Sequence, residues 1–148
     1  MNVSVKIDGI EAFRQLLLEM PTKAEKGAHA ALKICSLDLM GKAQDLAPIL
    51  TGDLRGSAYA VVGGEGEINT QRNDANPDTA RLPVPQVAGK LNAIVGFTEP
   101  YSTKVHESLA MNHPLGGQAK FLEAPFTANR DKYLKLIGEA IAKEVEKK

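Results

Sequence analysis

The sequence predicts an α+β fold in which a small, mainly antiparallel sheet packs against a long central helix and a C-terminal helix. Three observations predict it. Ala24, Ala28, Ala31, Leu32, Cys35, Leu39 and Ala43 recur at helical spacing over a long stretch. Leu134, Ile137, Ile141 and Val145 repeat that spacing near the C-terminus. Between them, Tyr59, Val61 and Val62, and then residues 91–97, form short strand-favouring runs bounded by glycine or proline.

Taken in order, Val3, Val5 and Ile7 alternate with polar residues and predict a short half-buried strand. Asp8 stops it and, with Glu11, caps a short helix whose Ile10, Phe13, Leu16 and Leu17 keep helical spacing up to Met20. Pro21, which has no N–H to give a helix, is expected to separate this helix from the next. Thr22 with Glu25 repeats the cap-and-acid pattern, and the long helix then runs to Pro48. Its small residues allow close approach of a sheet or helix. Ile34, Leu37 and Met40 widen its apolar surface beyond one face, which suits a helix covered on more than one side.

Residues 54–62 then read as a strand that Gly63 and Gly64 break. Residues 65–90 are rich in Gly, Asn, Asp and Pro and show no periodicity, so residues 63–90 read as a flexible loop or arm. Residues 91–97 are the next strand, and Glu99-Pro100 turns the chain. Pro114, Gly116 and Gly117 mark a further turn, and Pro125 sits near the start of the final helix, where its missing N–H costs little. With no internal repeat and no second core, residues 1–148 read as a single domain.

Composition narrows the function. Hydrophobic residues make up 43% of the chain and charged residues 24%, which is enough apolar material for a core. The 18 basic and 18 acidic residues cancel, so the general attraction to phosphate that nucleic-acid binders show is missing. Tryptophan is absent and aromatics reach only 5%, leaving little to stack on bases. Cys35 is the single cysteine, which excludes an intrachain disulfide and reads as a buried thiol. No signal-peptide pattern and no membrane-spanning apolar run occur, so the expected place of synthesis and residence is the cytoplasm.

Catalytic patterns are poorly supported. His106, Glu107 and His113 are ligand types, but two histidines seven apart across a turn match no zinc spacing. Neither Ser57 nor Ser102 sits in a nucleophile elbow, and residues 63–66 lack the Lys-Ser/Thr of a phosphate-binding loop. No metal, no cofactor and no enzymatic role are expected. Arg55 can clamp a carboxylate bidentately or serve as a solvated strand-edge residue, and Thr51 and Asp53 can stabilise a turn or make contacts. Tyr101, with an apolar ring and polar tip, suits a core edge with some subunit contact. His29 has no assignable partner from sequence.

Four blocks occur in order: Gly9-Ile10 after the first strand; Ala47-Pro48 followed by Thr51-Gly52-Asp53-Leu54-Arg55-Gly56-Ser57; Tyr101 ahead of His106-Glu107; and His113 with Gly117-Gln118-Ala119-Lys120-Phe121-Leu122-Glu123. With these the chain resembles the bacteriophage neck and tail-completion family typified by gene product ten of coliphage Hong Kong 97. The resemblance covers nearly the whole length. Residues 63–90 depart from it, since members often carry a shorter hairpin there.

The resemblance implies a structural virion protein at the head-tail junction, made in the bacterial cytoplasm and serving as a completion, joining or terminator component. It implies a ring, with a hexamer favoured and a dodecamer compatible, that contacts neighbouring neck, connector and tail-tube proteins while DNA passes without specific binding. A ring needs two different patches that meet head to tail. Thr51, Gly52, Asp53, Leu54, Arg55, Tyr101, His106, Glu107, Lys120 and Phe121 are the expected subunit or partner contacts, and the arm at 63–90 is expected to order against a neighbouring ring. A prophage-encoded protein-binding adaptor is the reading from another class.

Overall fold

A computed structural model of the chain describes residues 10–70 and 81–147. The expected strand at Val3, Val5 and Ile7 lies outside them. Helix α1 runs without interruption from Ile10 to Leu46, 37 residues or about 55 Å of rod. Pro21 is therefore inside a helix and does not divide two. It removes one backbone hydrogen bond, to the carbonyl of Leu17; because this part of the helix is exposed, water can satisfy that carbonyl.

After α1 come a four-residue helix α2 (Asp53–Gly56), strands β1 (Ala58–Val62), β2 (Gly66–Thr70) and β3 (Ala93–Phe97), a short helix α3 (Ser102–Glu107) and the long α4 (Glu123–Glu146). The fold is α+β. The sheet has the order β2-β1-β3, and both neighbours run antiparallel to β1. Residues 54–57, expected as strand, wind instead into α2 and a turn: Gly52 at φ +92 reverses the chain, and the Gly56 N–H closes onto the Gly52 carbonyl at 2.9 Å.

Gly63 and Gly64 do end β1, and the turn they begin leads straight into β2. The first part of the expected arm is thus a sheet strand. Its far end is tied down as well: the Leu82 N–H donates to Thr98 O at 2.7 Å, and Arg81 Nε donates to Glu99 Oε1 at 3.2 Å. Residues 71–80 of that segment lie outside the described ones.

β1 is buried at every position. Ala58 and Ala60 pack against Met40 of α1 beside Val95 and Phe97 of β3. In the cross-strand pair Tyr59 and Gly96, the tyrosine ring lies where a glycine Cβ would be, with its hydroxyl 2.5 Å from that position.

α4 packs antiparallel along α1. Tyr133 joins Cys35 and Leu39 in a cluster completed by Leu122, Leu136 and Ile137. Nearer the α4 C-terminus, Gly27 meets the Ala140 backbone so closely that an added Cβ would lie 2.5 Å from its carbonyl oxygen. The cluster centres on Tyr133, while Leu134, part of the expected stripe, is exposed. Lys42 bridges Asp38 of α1 and Asn129 of α4, and the Tyr133 hydroxyl donates to Asp38 at 2.7 Å. Cys35 is a buried free thiol, as its place in the apolar stripe predicts. His29 does have a partner: its Nε2 lies 3.0 Å from the carbonyl oxygen of Gly63.

Alignment with α4 ends near Lys23, whose ammonium reaches the carbonyl of Lys147 at 2.8 Å. The first part of α1, residues 10–22, precedes that point. Leu16, Leu17, Leu18 and Met20 are exposed there.

Candidate interaction surface

Three of the sequence blocks meet at the end of α1. The helix stops at Leu46 with no basic residue in its last turn, and its terminal carbonyls need donors. Arg55 supplies them from α2: its Nε donates to Ala47 O and an Nη to Asp45 O, each at 2.8 Å. Gln44 Nε2 returns a bond to Arg55 O at 2.9 Å. Arg55 is therefore turned onto its own chain as a helix C-cap, a role that the sequence, which left a carboxylate clamp and a solvated strand edge open, did not show.

The third block closes the corner. Gln118 N–H donates to Leu46 O at 2.9 Å, and Lys120 N–H donates to His106 O at 2.8 Å. Gly117, at φ +93, lies so close to Pro48 that a Cβ would sit 2.4 Å from the proline Cα. Only glycine satisfies both the backbone angle and the approach. Phe121 is 1% exposed, in edge-to-face contact with Phe97 and His106 at 5.0 Å in each case. Leu54 is buried with it beside Ala47. Both were expected at an interface, and both are core: an apolar side chain this deep is out of a partner's reach.

Asp53 is buried too and accepts the Thr51 hydroxyl at 2.5 Å, so this pair stabilises the turn. Ser57 knits the turn to the chain after β3, its hydroxyl donating to Leu54 O at 2.8 Å and accepting from Glu99 N at 3.3 Å. The role of Glu99 has no sequence signal beyond its place at a strand end. Its side chain is wholly buried, with Oε1 on Arg81 and Oε2 unpartnered.

His106, Glu107 and Lys120 form a surface ion cluster with Glu123. The Lys120 ammonium contacts Glu107 and lies 2.9 Å from Glu123. His106 Nδ1 is 2.7 Å from the other Glu107 oxygen, while its Nε2 accepts from Glu123 N at 3.3 Å. That pattern fits the tautomer protonated on Nδ1. The lysine and histidine hydrogen bonds hold the Glu107 carboxyl below the usual range, and both carboxylates raise Lys120. His106, Glu107 and Glu123 bring ligand atoms within 4.8 Å of one another. Lys120 bridges the two carboxylates and offsets one of their charges, and the one imidazole lone pair accepts from a backbone N–H, so the group is an ion-paired surface cluster. His113 stands apart from this group, with a buried Nε2 that has no partner.

Thr51, Gly52 and Tyr101 border a cavity of about 310 Å³ that also touches Pro48, Met111 and His113. Leu50, Tyr101 and Met111 line it, and Leu109 and Leu115 lie in the same loop segment of the chain. Leu50 is 84% exposed and Leu109 78%, with Leu115, Met111 and Tyr101 also showing large apolar surfaces. Sequence reasoning missed these leucines because they lie in loops, where no periodicity marks them. Exposed apolar side chains on loops held by backbone bonds suit a protein partner better than a substrate.

No family model, curated protein or solved structure matches the chain. Among the described residues no helix is long and apolar enough to cross a membrane.

Proposed function

We propose that the chain is a structural virion protein of a tailed bacteriophage, assembled as a ring at the head-tail junction and joining tail to capsid around the DNA channel. The observation that carries this reading is the meeting of three sequence blocks at one locked corner, with Leu50, Leu109 and Leu115 exposed in the loops of the same segments. These blocks are the ones on which the resemblance to the neck and tail-completion proteins rests. A rigid scaffold with an apolar rim is what repeated subunit contacts require.

Charge supports the same reading. A formal net charge of +0 gives DNA no reason to stick while it moves past. Copies of the chain and the adjoining neck, connector and tail-tube proteins are the partners, and no cofactor takes part. The test is solution mass by light scattering, for the protein alone and mixed with those neighbours. A ring-sized species is the expected result; a monomer indifferent to them overturns the reading.

A further inference from the structure

We propose that His29 is a pH-sensitive clamp, its protonation fastening the β1–β2 turn to α1 through Glu65. The inference stands apart from the ring reading and does not depend on it. Glu25, His29 and Lys33 follow one another at four-residue spacing, so one face of α1 carries all three. The chain meets this face twice. Gly63 and Glu65 reach it from the end of β1, and Lys90 reaches it from the segment before β3, its ammonium 3.4 Å from Glu25.

The imidazole stands between two acceptors of the turn. Its Nε2 lies 3.0 Å from the Gly63 carbonyl oxygen, and a carbonyl only accepts, so Nε2 carries a proton. In the neutral ring Nδ1 is then a bare lone pair. That atom lies 3.8 Å from Glu65 Oε1, so the lone pair faces a carboxylate and gains nothing from it. A proton on Nδ1 reverses the sign of the contact. Both ring nitrogens then point N–H groups at the turn, and the Nε2 bond to Gly63 is undisturbed.

Glu65 is prepared for this. Lys33 donates to its other oxygen, Oε2, at 2.7 Å and leaves Oε1 to the imidazole. That hydrogen bond, with smaller help from the charges of Lys33 and His29, holds the Glu65 carboxyl below the usual range against slight desolvation. The carboxylate is therefore still ionised at the pH where an imidazole gains its proton. The His29 side chain is 19% exposed, which limits screening of the pair. Lys26 and Lys33 of α1 and Lys90 oppose a charge on His29, while Glu25 of α1 and Glu144 of α4 favour it. Lys26 pairs with Glu144 at 3.7 Å and Lys90 with Glu25, so Glu65 decides. The clamp is full below the imidazole's titration range and is lost as pH rises through it.

The experiment is a cycle of full-length wild type, His29→Gln, Glu65→Gln and the double variant, read by urea denaturation at about pH 5.5 and about pH 8. Glutamine at 29 keeps an N–H for the Gly63 carbonyl, and glutamine at 65 keeps the shape of glutamate without its charge. The unfolding equilibrium should show a coupling of about two- to fivefold at the lower pH and none at the higher. Amide exchange, corrected for its intrinsic pH dependence, gives a local readout. Protection of the Gly63 and Glu65 N–H groups, which donate to Asn92 O and Val62 O, should rise on acidification in the wild type and in neither single variant. A coupling of equal size at both pH values makes His29 a plain hydrogen-bond donor and overturns the proposal, as does a coupling absent at both. Should His29→Gln unfold, exchange in Glu65→Gln decides alone: an acid-side rise that persists there overturns the clamp.

Discussion

The Arg55 Nε–H donates to the Ala47 carbonyl at 2.8 Å, so a residue from α2 closes the C-terminus of α1. A cation at this end also complements the helix dipole, which the last turn of α1, lacking any basic residue, does not do for itself. Arg55→Ala should cost about 2 kcal/mol of folding stability, since it removes two charge-assisted bonds and leaves the carbonyl of buried Ala47 without its donor. Arg55→Lys should recover only part of it, because one ammonium cannot reproduce the fork. Urea denaturation of the three proteins decides; a loss of assembly with unchanged stability would return Arg55 to the interface.

Gly27 sets the distance between α1 and α4. A Cβ there would lie 2.5 Å from the Ala140 carbonyl oxygen, a contact with backbone that no side-chain rotation can relieve. Gly27→Ala should therefore destabilise by about 1–3 kcal/mol, although alanine is the better helix former. Gly41, where an added Cβ meets nothing, is the matched control: Gly41→Ala should be neutral or stabilising in the same melt.

These positions also show what a sequence can and cannot reveal. The stripe from Ala31 to Ala43 and the run Tyr59 to Val62 were legible because burial on a helix face or in a strand imposes a period. Pro21 misled because proline in an exposed helix costs one hydrogen bond and a kink, which neighbouring turns can bear. Leu54 read as strand because local propensity carries no record of the Gly52 reversal before it. The strand at Gly66–Thr70 escaped notice because its pattern is hydrophilic and its pairing with β1 is what makes it a strand. At the candidate surface, the blocks themselves were legible, but the burial of Phe121 was not: in a glycine-rich segment nothing periodic shows which way an aromatic points.

The link between Asp38 and Tyr133 gives the chain a pH signature. Burial opposes ionisation of Asp38, but hydrogen bonds from Lys42 and Tyr133 outweigh it together and lower its pKa from 3.8. A depressed carboxyl stabilises the fold above its unfolded value, and this contribution is lost as pH falls through the lower folded value. Burial and the bond to Asp38 raise Tyr133 well above 10.0, so its contribution is full below that pH and disappears on the alkaline side. Melting temperature should be flat between about pH 5 and pH 9 from this pair and drop at both ends. Tyr133→Phe should lose some stability at neutral pH and flatten the alkaline drop; an unchanged alkaline limb would mean that another group sets it.

The apolar rim and the core beneath it should separate in a mutational test. Phe121 is enclosed by Phe97, His106 and Leu54, so Phe121→Ala leaves a cavity and should cost about 3–5 kcal/mol. A chain so destabilised will fail to assemble for reasons unrelated to contact. Leu50 and Leu109, by contrast, present most of their surface to water, and an aspartate there replaces no packed neighbour. Leu50→Asp and Leu109→Asp should shift the melt by under about 0.5 kcal/mol while lowering the assembled fraction at least tenfold, by itself or with the neighbouring neck proteins. Light scattering beside denaturation on the same samples reads both quantities. Assembly that survives both leucine substitutions would show that the rim is solvent-facing in the assembled state and that subunits meet elsewhere.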